Sequence, residues 1–139
     1  MRPSFPLLAF LLSLLAGAAH AEGSGIGLQT PSKNIGCQFF ATDGRATLRC
    51  DILETSAAMP PRPADCEGEW GHSFEMEVKG TVARICAGDT IIDPSLPLLP
   101  YGEVWQAGGF TCRSDEAGLT CFNAVQHGFS LSRSTLKVF

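Results

Sequence analysis

The sequence lacks the short motifs typical of redox enzymes, metal proteins and serine hydrolases. It contains no Cys-x-x-Cys pair, no His-Glu-x-x-His pair, no EF-hand loop and no Gly-x-Ser-x-Gly elbow. Histidine is also scarce, with three in 139 residues. These absences argue against a thiol oxidoreductase, a zinc peptidase, a calcium sensor and an α/β-hydrolase. We therefore predict no metal and no cofactor.

Long helical periodicity and runs of basic residues are absent as well. Ten Lys and Arg stand against fourteen Asp and Glu, which gives a formal net charge of −4. A basic surface is the usual electrostatic footprint of nucleic-acid binding. The sequence therefore disfavours a nucleic-acid partner and binding to an anionic membrane surface.

One long apolar run is present, and it lies at the N-terminus. Leu7–Ala19 has the length of a signal-peptide core, and Ala19-His20-Ala21 supplies the small residues of a cleavage site. We predict a signal peptide over residues 1–21 and a single disulfide-braced β domain over residues 22–139. No second apolar run follows, so stable membrane insertion is not expected. Ala18 stands where a lipidated cysteine would be, which favours a periplasmic or secreted protein over a lipid-anchored one.

The predicted domain contains all six cysteines, an even number typical of a disulfide framework in an exported chain. Six cysteines allow fifteen pairings, and hairpin register selects among them. Asp43-Gly44 is a strong two-residue hairpin signal between two alternating segments. A hairpin centred there places Cys37 directly opposite Cys50, within disulfide reach.

A second hairpin follows from the same reasoning. A loop over residues 115–118 places Cys112 opposite Cys121, with one more strand after it. By elimination, Cys66 pairs with Cys86. The alternating strand Ser73–Lys79 is predicted to turn at Gly80, which would put Cys86 opposite Ser73.

Short strands separated by turn signals predict an all-β fold, a small antiparallel sandwich or barrel built from disulfide-stapled hairpins. Ile91-Ile92 is predicted as one further short strand. The proline-rich stretch Met59–Pro63 is predicted as a stiff connection between sheets. The two halves of the chain carry weakly similar pieces, Gly71-His72-Ser73-Phe74 and His127-Gly128-Phe129. The shared chemistry of turns that enter strands is the favoured explanation, and an internal duplication is the alternative.

Four residues are candidates for a binding surface: Trp70, Tyr101, His127 and Arg133. The two aromatic residues adjoin glycines at predicted strand entries, where large amphipathic rings can make contacts. An alternative is hydrolysis by His127 with Ser130 or Ser132. Strand alternation places His127 and Ser130 on opposite faces, which argues against that chemistry.

Several short pieces spread along the chain form a recognisable series. They are Pro31-Ser32-x-Asn34-Ile35-x-Cys37, Leu48-Arg49-Cys50-Asp51-Ile52, Pro61-Arg62-Pro63-x-x-Cys66, Cys86-Ala87-Gly88-Asp89-Thr90, Tyr101-Gly102, Gly118-Leu119-Thr120-Cys121-x-Asn123 and His127-Gly128-Phe129-Ser130-Leu131-Ser132-Arg133. As a set, they resemble an uncharacterised family of small exported, six-cysteine bacterial domains. The resemblance implies six paired cysteines and a bacterial cell-envelope or extracellular setting. It carries no activity, cofactor or catalytic residue.

The sequence therefore predicts a non-enzymatic binding or structural module of the bacterial periplasm or cell exterior. Its partner would be an envelope or extracellular protein or polymer. An inhibitor of a hydrolase such as a lysozyme is an alternative, because small disulfide-braced β domains suit that role. The hydrolase that uses His127 is the other alternative.

Overall fold

The computed structural model describes residues 26–139, so the predicted signal peptide lies outside the described residues. These residues form ten β-strands and no helix. None of them therefore belongs to a helix long and apolar enough to cross a membrane. The strands are β1 Gly27–Gln29, β2 Ile35–Thr42, β3 Arg45–Ile52, β4 Glu69–Glu77, β5 Ala83–Ala87, β6 Val104–Ala107, β7 Phe110–Asp115, β8 Gly118–Phe122, β9 Gly128–Leu131 and β10 Leu136–Val138.

The strands form two antiparallel sheets of five. The first sheet has the order β1-β2-β3-β4-β5, and the second has the order β10-β9-β8-β7-β6. Each sheet is thus a meander in which every strand pairs with its neighbour in sequence. Neither sheet closes on itself, and buried residues of both sheets form a single apolar cluster. The predicted all-β class with antiparallel sheets is confirmed, and of the two predicted arrangements, sandwich or barrel, two open sheets with a shared core correspond to the sandwich.

Two hairpins have the register that the sequence predicts. In β2–β3, Cys37 lies opposite Cys50 across a turn in which Asp43 and Gly44 both have positive φ, as a two-residue hairpin turn requires. In β7–β8, Cys112 lies opposite Cys121. Both pairs are disulfide-bonded, each with its Cα atoms 4.1 Å apart. The third disulfide joins Cys66 to Cys86, the pair that elimination predicts.

The core lies between the two sheets because alternate side chains of each strand point inward. Phe74 of β4 and Phe129 of β9 meet with their ring centroids 5.7 Å apart, and neither ring is exposed to solvent. Burying one such side chain contributes about 1.5–3 kcal/mol. The two hairpin disulfides also point inward, and the sulfur of Cys50 lies 4.0 Å from that of Cys121.

The predicted register of β4 and β5 is wrong by one residue at Ser73 and by three residues at Cys86. Cys86 lies opposite Trp70, whereas Ser73 lies opposite Ile85. The one-residue error arises at the turn that joins β4 to β5, since Ser73 to Glu75 already show it. A bulge between Trp70 and Ser73 adds the other two residues, and Gly71 takes a φ of +96° within it. Bulges insert an extra residue on one strand and re-aim the side chains beside it. Two-residue turn reasoning cannot anticipate this shift.

Ile91-Ile92 does not form the predicted strand. The segment instead belongs to an irregular connection across the outer face of the first sheet. The Asp51 carboxylate of β3 accepts hydrogen bonds from the Ile91 amide and the Thr90 hydroxyl, at 3.0 and 3.1 Å. Arg49 donates to both oxygens of the same carboxylate at 3.0 Å. Asp51 is consequently only 3 % exposed although it faces outward from the sheet.

Polar contacts join the two sheets at both ends of the sandwich. At one end, the Asn123 amide donates to the carbonyls of Glu77 and Gly80 at 2.8 and 2.7 Å. At the other end, the Ser56 amide and hydroxyl both donate to the Arg133 carbonyl. The second of these ends also carries the largest described cavity.

Candidate functional site

A groove of about 410 Å³ opens at one end of the sandwich, where segments from both sheets meet. We call it the end groove. Its volume falls within the range of ordinary small-molecule pockets, about 300–1,000 Å³. The lining residues are Thr30, Ser32, Asn34, Ile35, Tyr101, Asp115, Glu116, Ala117, Gly118, Ser132, Arg133 and Ser134.

The β1–β2 turn forms one wall of the end groove and is rigidly held. The Thr30 amide donates to the Ile35 carbonyl at 2.9 Å, and the Lys33 amide donates to the Thr30 carbonyl at 2.8 Å. Asn34, which is 5 % exposed, exchanges hydrogen bonds with both backbone groups of Glu54. This wall is therefore fixed before any ligand arrives.

The β7–β8 turn forms the opposite wall and presents two carboxylates. One oxygen of Asp115 accepts hydrogen bonds from the amides of Ala117 and Gly118, at 3.0 and 3.3 Å. These bonds fix the orientation of the side chain. The second oxygen has no hydrogen-bond donor among residues 26–139, and Glu116 beside it is exposed. The wall thus offers free acceptor atoms at a defined position.

Arg133 supplies the cation of the end groove. Its guanidinium donates to the Glu54 carboxylate at 2.8 Å, and both side chains are largely exposed. An exposed pair of this kind contributes about 0–1 kcal/mol to stability. A guanidinium has five N–H donors, so Arg133 keeps donors available for a ligand.

Tyr101 provides the aromatic surface of the end groove. It is 47 % exposed and is the only tyrosine of the chain. Gly102 follows with a φ of +83°, in a turn closed by a 3.1 Å hydrogen bond from the Glu103 amide to the Pro100 carbonyl, and its own amide joins this turn to β7 through a 2.7 Å bond to the Ser114 carbonyl. The ring therefore stands on a constrained backbone, with an apolar face and a polar hydroxyl accessible to solvent.

The structure brings two of the four predicted binding residues together and leaves the other two elsewhere. Tyr101 and Arg133 line the end groove, whereas Trp70 and His127 do not. The Trp70 indole donates to the Pro60 carbonyl at 3.0 Å and so holds the proline-rich connection against the first sheet. The backbone of His127 belongs to the β8–β9 turn, where its amide donates to the Asn123 side chain.

The alternative pairing of His127 with a serine is not found among the described hydrogen bonds. The Ser130 hydroxyl lies 2.9 Å from the Thr120 hydroxyl, on the outer face of the second sheet. The Ser132 hydroxyl contacts Ser134 and Thr135. In β9, Phe129 and Leu131 point inward, so Ser130 points away from the core.

Two smaller cavities lie on the described surface, and the second shares Asp115, Ala117, Gly118 and Ser132 with the end groove. One of about 210 Å³ adjoins Asp51 and His72, but the Asp51 carboxylate and the His72 Nδ1 are used internally. The Nδ1 of His72 donates to the Ile52 carbonyl at 2.9 Å. The other, of about 190 Å³, lies over the outer face of β8 and β9. Within residues 26–139, the sole cluster with metal-ligand spacing consists of the four core cysteines, which are disulfide-bonded.

Sequence reasoning missed the acidic and hydroxyl groups of the end groove. Asp115 and Glu116 read as ordinary turn residues, and Ser32 as part of a turn before β2. The one signal that pointed to this region was the recurrence of polar turn pieces, such as those containing Ser32 and Arg133, in the family resemblance. Polar turn residues that a fold alone does not require are candidates for a binding role.

Comparison with known proteins places the chain in a family without an assigned activity. No curated protein and no solved structure matches the sequence. One family model matches residues 6–139, which is nearly the whole chain. The chain therefore belongs to DUF6636, a family of unknown function.

Proposed function

We propose that this chain is an exported, non-enzymatic binding module of the bacterial periplasm or cell exterior, with the end groove as its ligand site. The main support is a preformed groove that combines a free carboxylate oxygen of Asp115, unused guanidinium donors of Arg133 and the exposed ring of Tyr101. Three disulfides and an N-terminal leader-like sequence support an oxidising compartment.

The groups of the end groove favour a neutral, hydroxyl-rich ligand. Serine hydroxyls both donate and accept hydrogen bonds, and ionised carboxylates accept from hydroxyl pairs. An exposed tyrosine ring can pack against the C–H face of a pyranose. We therefore propose an oligosaccharide segment of an envelope polymer as the ligand.

The charge of the end groove argues against polyanions. Asp115 and Glu116 stand against Arg133, and Arg133 is already paired with Glu54. A polyphosphate or nucleic acid requires a surplus of cations at its site. The proposed ligand is therefore uncharged in the segment that enters the groove.

The test is an NMR titration of the protein with tetramers of N-acetylglucosamine and of glucose. We expect chemical-shift changes confined to the residues of the end groove. Tyr101→Ala should weaken binding about three- to tenfold, the equivalent of an aromatic contact of about 0.5–1.5 kcal/mol. Tyr101→Phe should keep most of the affinity because the ring remains.

His127→Ala is the matched control, because His127 is partly buried and lies outside the groove. It should leave the affinity unchanged. The proposal fails if neither oligosaccharide shifts the groove residues, or if His127→Ala weakens binding as much as Tyr101→Ala.

A second candidate is inhibition of a hydrolase such as a lysozyme, supported by the proline-rich segment. Pro60, Pro61 and Arg62 are exposed, yet the segment is held by Trp70 and by the Cys66–Cys86 disulfide. Rigid exposed loops lose little entropy on binding. If this role holds, excess protein slows lysozyme turnover, and Arg62→Ala weakens the inhibition whereas Tyr101→Ala does not. Unchanged turnover in the presence of excess protein would exclude it for that enzyme.

A further inference from the structure

Four cysteine sulfurs meet at the centre of the sandwich. Cys37 and Cys50 come from the first sheet, and Cys112 and Cys121 from the second, and none is exposed to solvent. All four sulfur atoms lie within 4.8 Å of one another. We call this group the sulfur quartet.

The topology explains why the two disulfides face each other. Each joins the second and third strands of its own five-stranded meander, β2 with β3 and β7 with β8. All four residues point inward, so facing sheets bring the two bridges into contact. The shortest described approach between the bridges is that of Cys50 to Cys121, 4.0 Å between sulfurs.

We propose that the sulfur quartet is a site of thiol–disulfide exchange between the two sheets. When Cys37 is no longer bonded to Cys50, the Cys50 thiolate attacks the sulfur of Cys121. A bond forms between Cys50 and Cys121, the bond between Cys121 and Cys112 breaks, and Cys112 leaves as a thiolate that takes up a proton. The number of disulfides is unchanged by this step.

In the native protein, the first opening of a bridge requires a reductant. A dithiol reduces the Cys37–Cys50 bond to two thiols and becomes a cyclic disulfide, supplying two electrons and two protons. Exchange then moves the remaining bridge from within the second sheet to a position between the sheets. The product is a sandwich whose layers are covalently joined, with thiols at Cys37 and Cys112.

The third disulfide does not belong to this site. Cys66 and Cys86 are outside the sulfur quartet, and their bridge joins β5, at the edge of the first sheet, to the segment before β4. Exchange at the quartet therefore leaves this bridge intact. Because exchange does not involve the Cys66–Cys86 bridge, this bridge is the internal reference for the experiment.

The experiment uses Cys37→Ser, which leaves Cys50 as a thiol without any added reductant. The purified variant is incubated at mildly alkaline pH, its thiols are alkylated, and its peptides are mapped under non-reducing conditions. We expect Cys112 to carry the alkyl group in the major species, and Cys50 to be bonded to Cys121. Cys112→Ser should give the same bond, with Cys37 alkylated instead.

Cys66→Ser is the matched control, because it also creates one unpaired cysteine. In that variant Cys86 should be alkylated, and both core bridges should keep their native pairing. The proposal is overturned if Cys37→Ser, with a wild-type circular dichroism spectrum, carries the alkyl group on Cys50 and keeps the Cys112–Cys121 bond.

If Cys37→Ser does not fold, limited reduction of the wild-type protein by dithiothreitol gives an independent measurement. Molecules with one core bridge left should contain the Cys50–Cys121 bond. Molecules that contain only Cys37–Cys50 or Cys112–Cys121 would overturn the proposal.

Discussion

Asn123 gives the sharpest test of how the two sheets are held together. Its side chain is 1 % exposed and makes four hydrogen bonds. The amide nitrogen donates to the carbonyls of Glu77 and Gly80 across the sandwich, and the amide oxygen accepts from the backbone amides of Val125 and His127 in the β8–β9 turn.

We predict that Asn123→Ala lowers the free energy of unfolding by about 3–5 kcal/mol. Each lost bond costs about 1 kcal/mol, and the substitution leaves four backbone groups without that partner. A domain of this size has a stability of about 5–15 kcal/mol, so the variant should be severely weakened. The measurement is unfolding in guanidinium chloride, followed by tryptophan fluorescence with the disulfides intact.

Two further variants make the prediction specific. Asn123→Asp retains the acceptor but places a carboxylate oxygen against two carbonyl oxygens, so it should destabilise at neutral pH at least as much as alanine. Asn34→Ala removes two hydrogen bonds between the Asn34 side chain and the Glu54 backbone. Asn34 is buried to a similar degree as Asn123, so this variant should lower the free energy of unfolding by about half as much as Asn123→Ala. A loss below about 1 kcal/mol for Asn123→Ala, or one smaller than for Asn34→Ala, would refute this reasoning.

Two other predictions concern the loops. Trp70→Phe should lower the free energy of unfolding by about 0.5–1.5 kcal/mol, because it removes one indole hydrogen bond. It should leave ligand binding at the end groove unchanged. Weaker binding would contradict the assignment of Trp70 to the scaffold. The Ser95 hydroxyl, and then its amide, hydrogen-bond the Asp93 carboxylate and hold its pKa below the ordinary value. The associated stabilisation is present above the ordinary pKa and is lost as pH falls through the lowered one. Ser95→Ala should raise the pKa of Asp93, and an unchanged carbon-detected NMR titration would contradict this.

The sequence was most informative where local rules determine the structure. The Asp43-Gly44 turn sets the register of β2–β3, and an inward cysteine at the paired position of each strand then implies the bridge. The β7–β8 hairpin follows in the same way. Where the backbone departs from a two-residue turn and regular pairing, at the turn after β4 and at the bulge beside Gly71, hairpin register gave the wrong partner for Cys86.

The candidate site was less predictable because it is a product of tertiary structure. The end groove combines segments more than one hundred residues apart, from Thr30 to Ser134. Tyr101 and Arg133 were predicted from residue type and local context. Their proximity to Asp115 depends on how the ends of the two sheets meet, which no local pattern encodes. Trp70 had a similar local context, yet the structure gives it a scaffold contact.

The meander order of the strands has a consequence for the biogenesis of the chain. The disulfides join the first cysteine to the second, the third to the fourth and the fifth to the sixth, across separations of 13, 20 and 9 residues. Under the proposed export, a chain that emerges from its N-terminus presents each cysteine just before its native partner. An oxidase that links cysteines in their order of emergence therefore produces the native set directly, and the first sheet can be complete before β6 emerges.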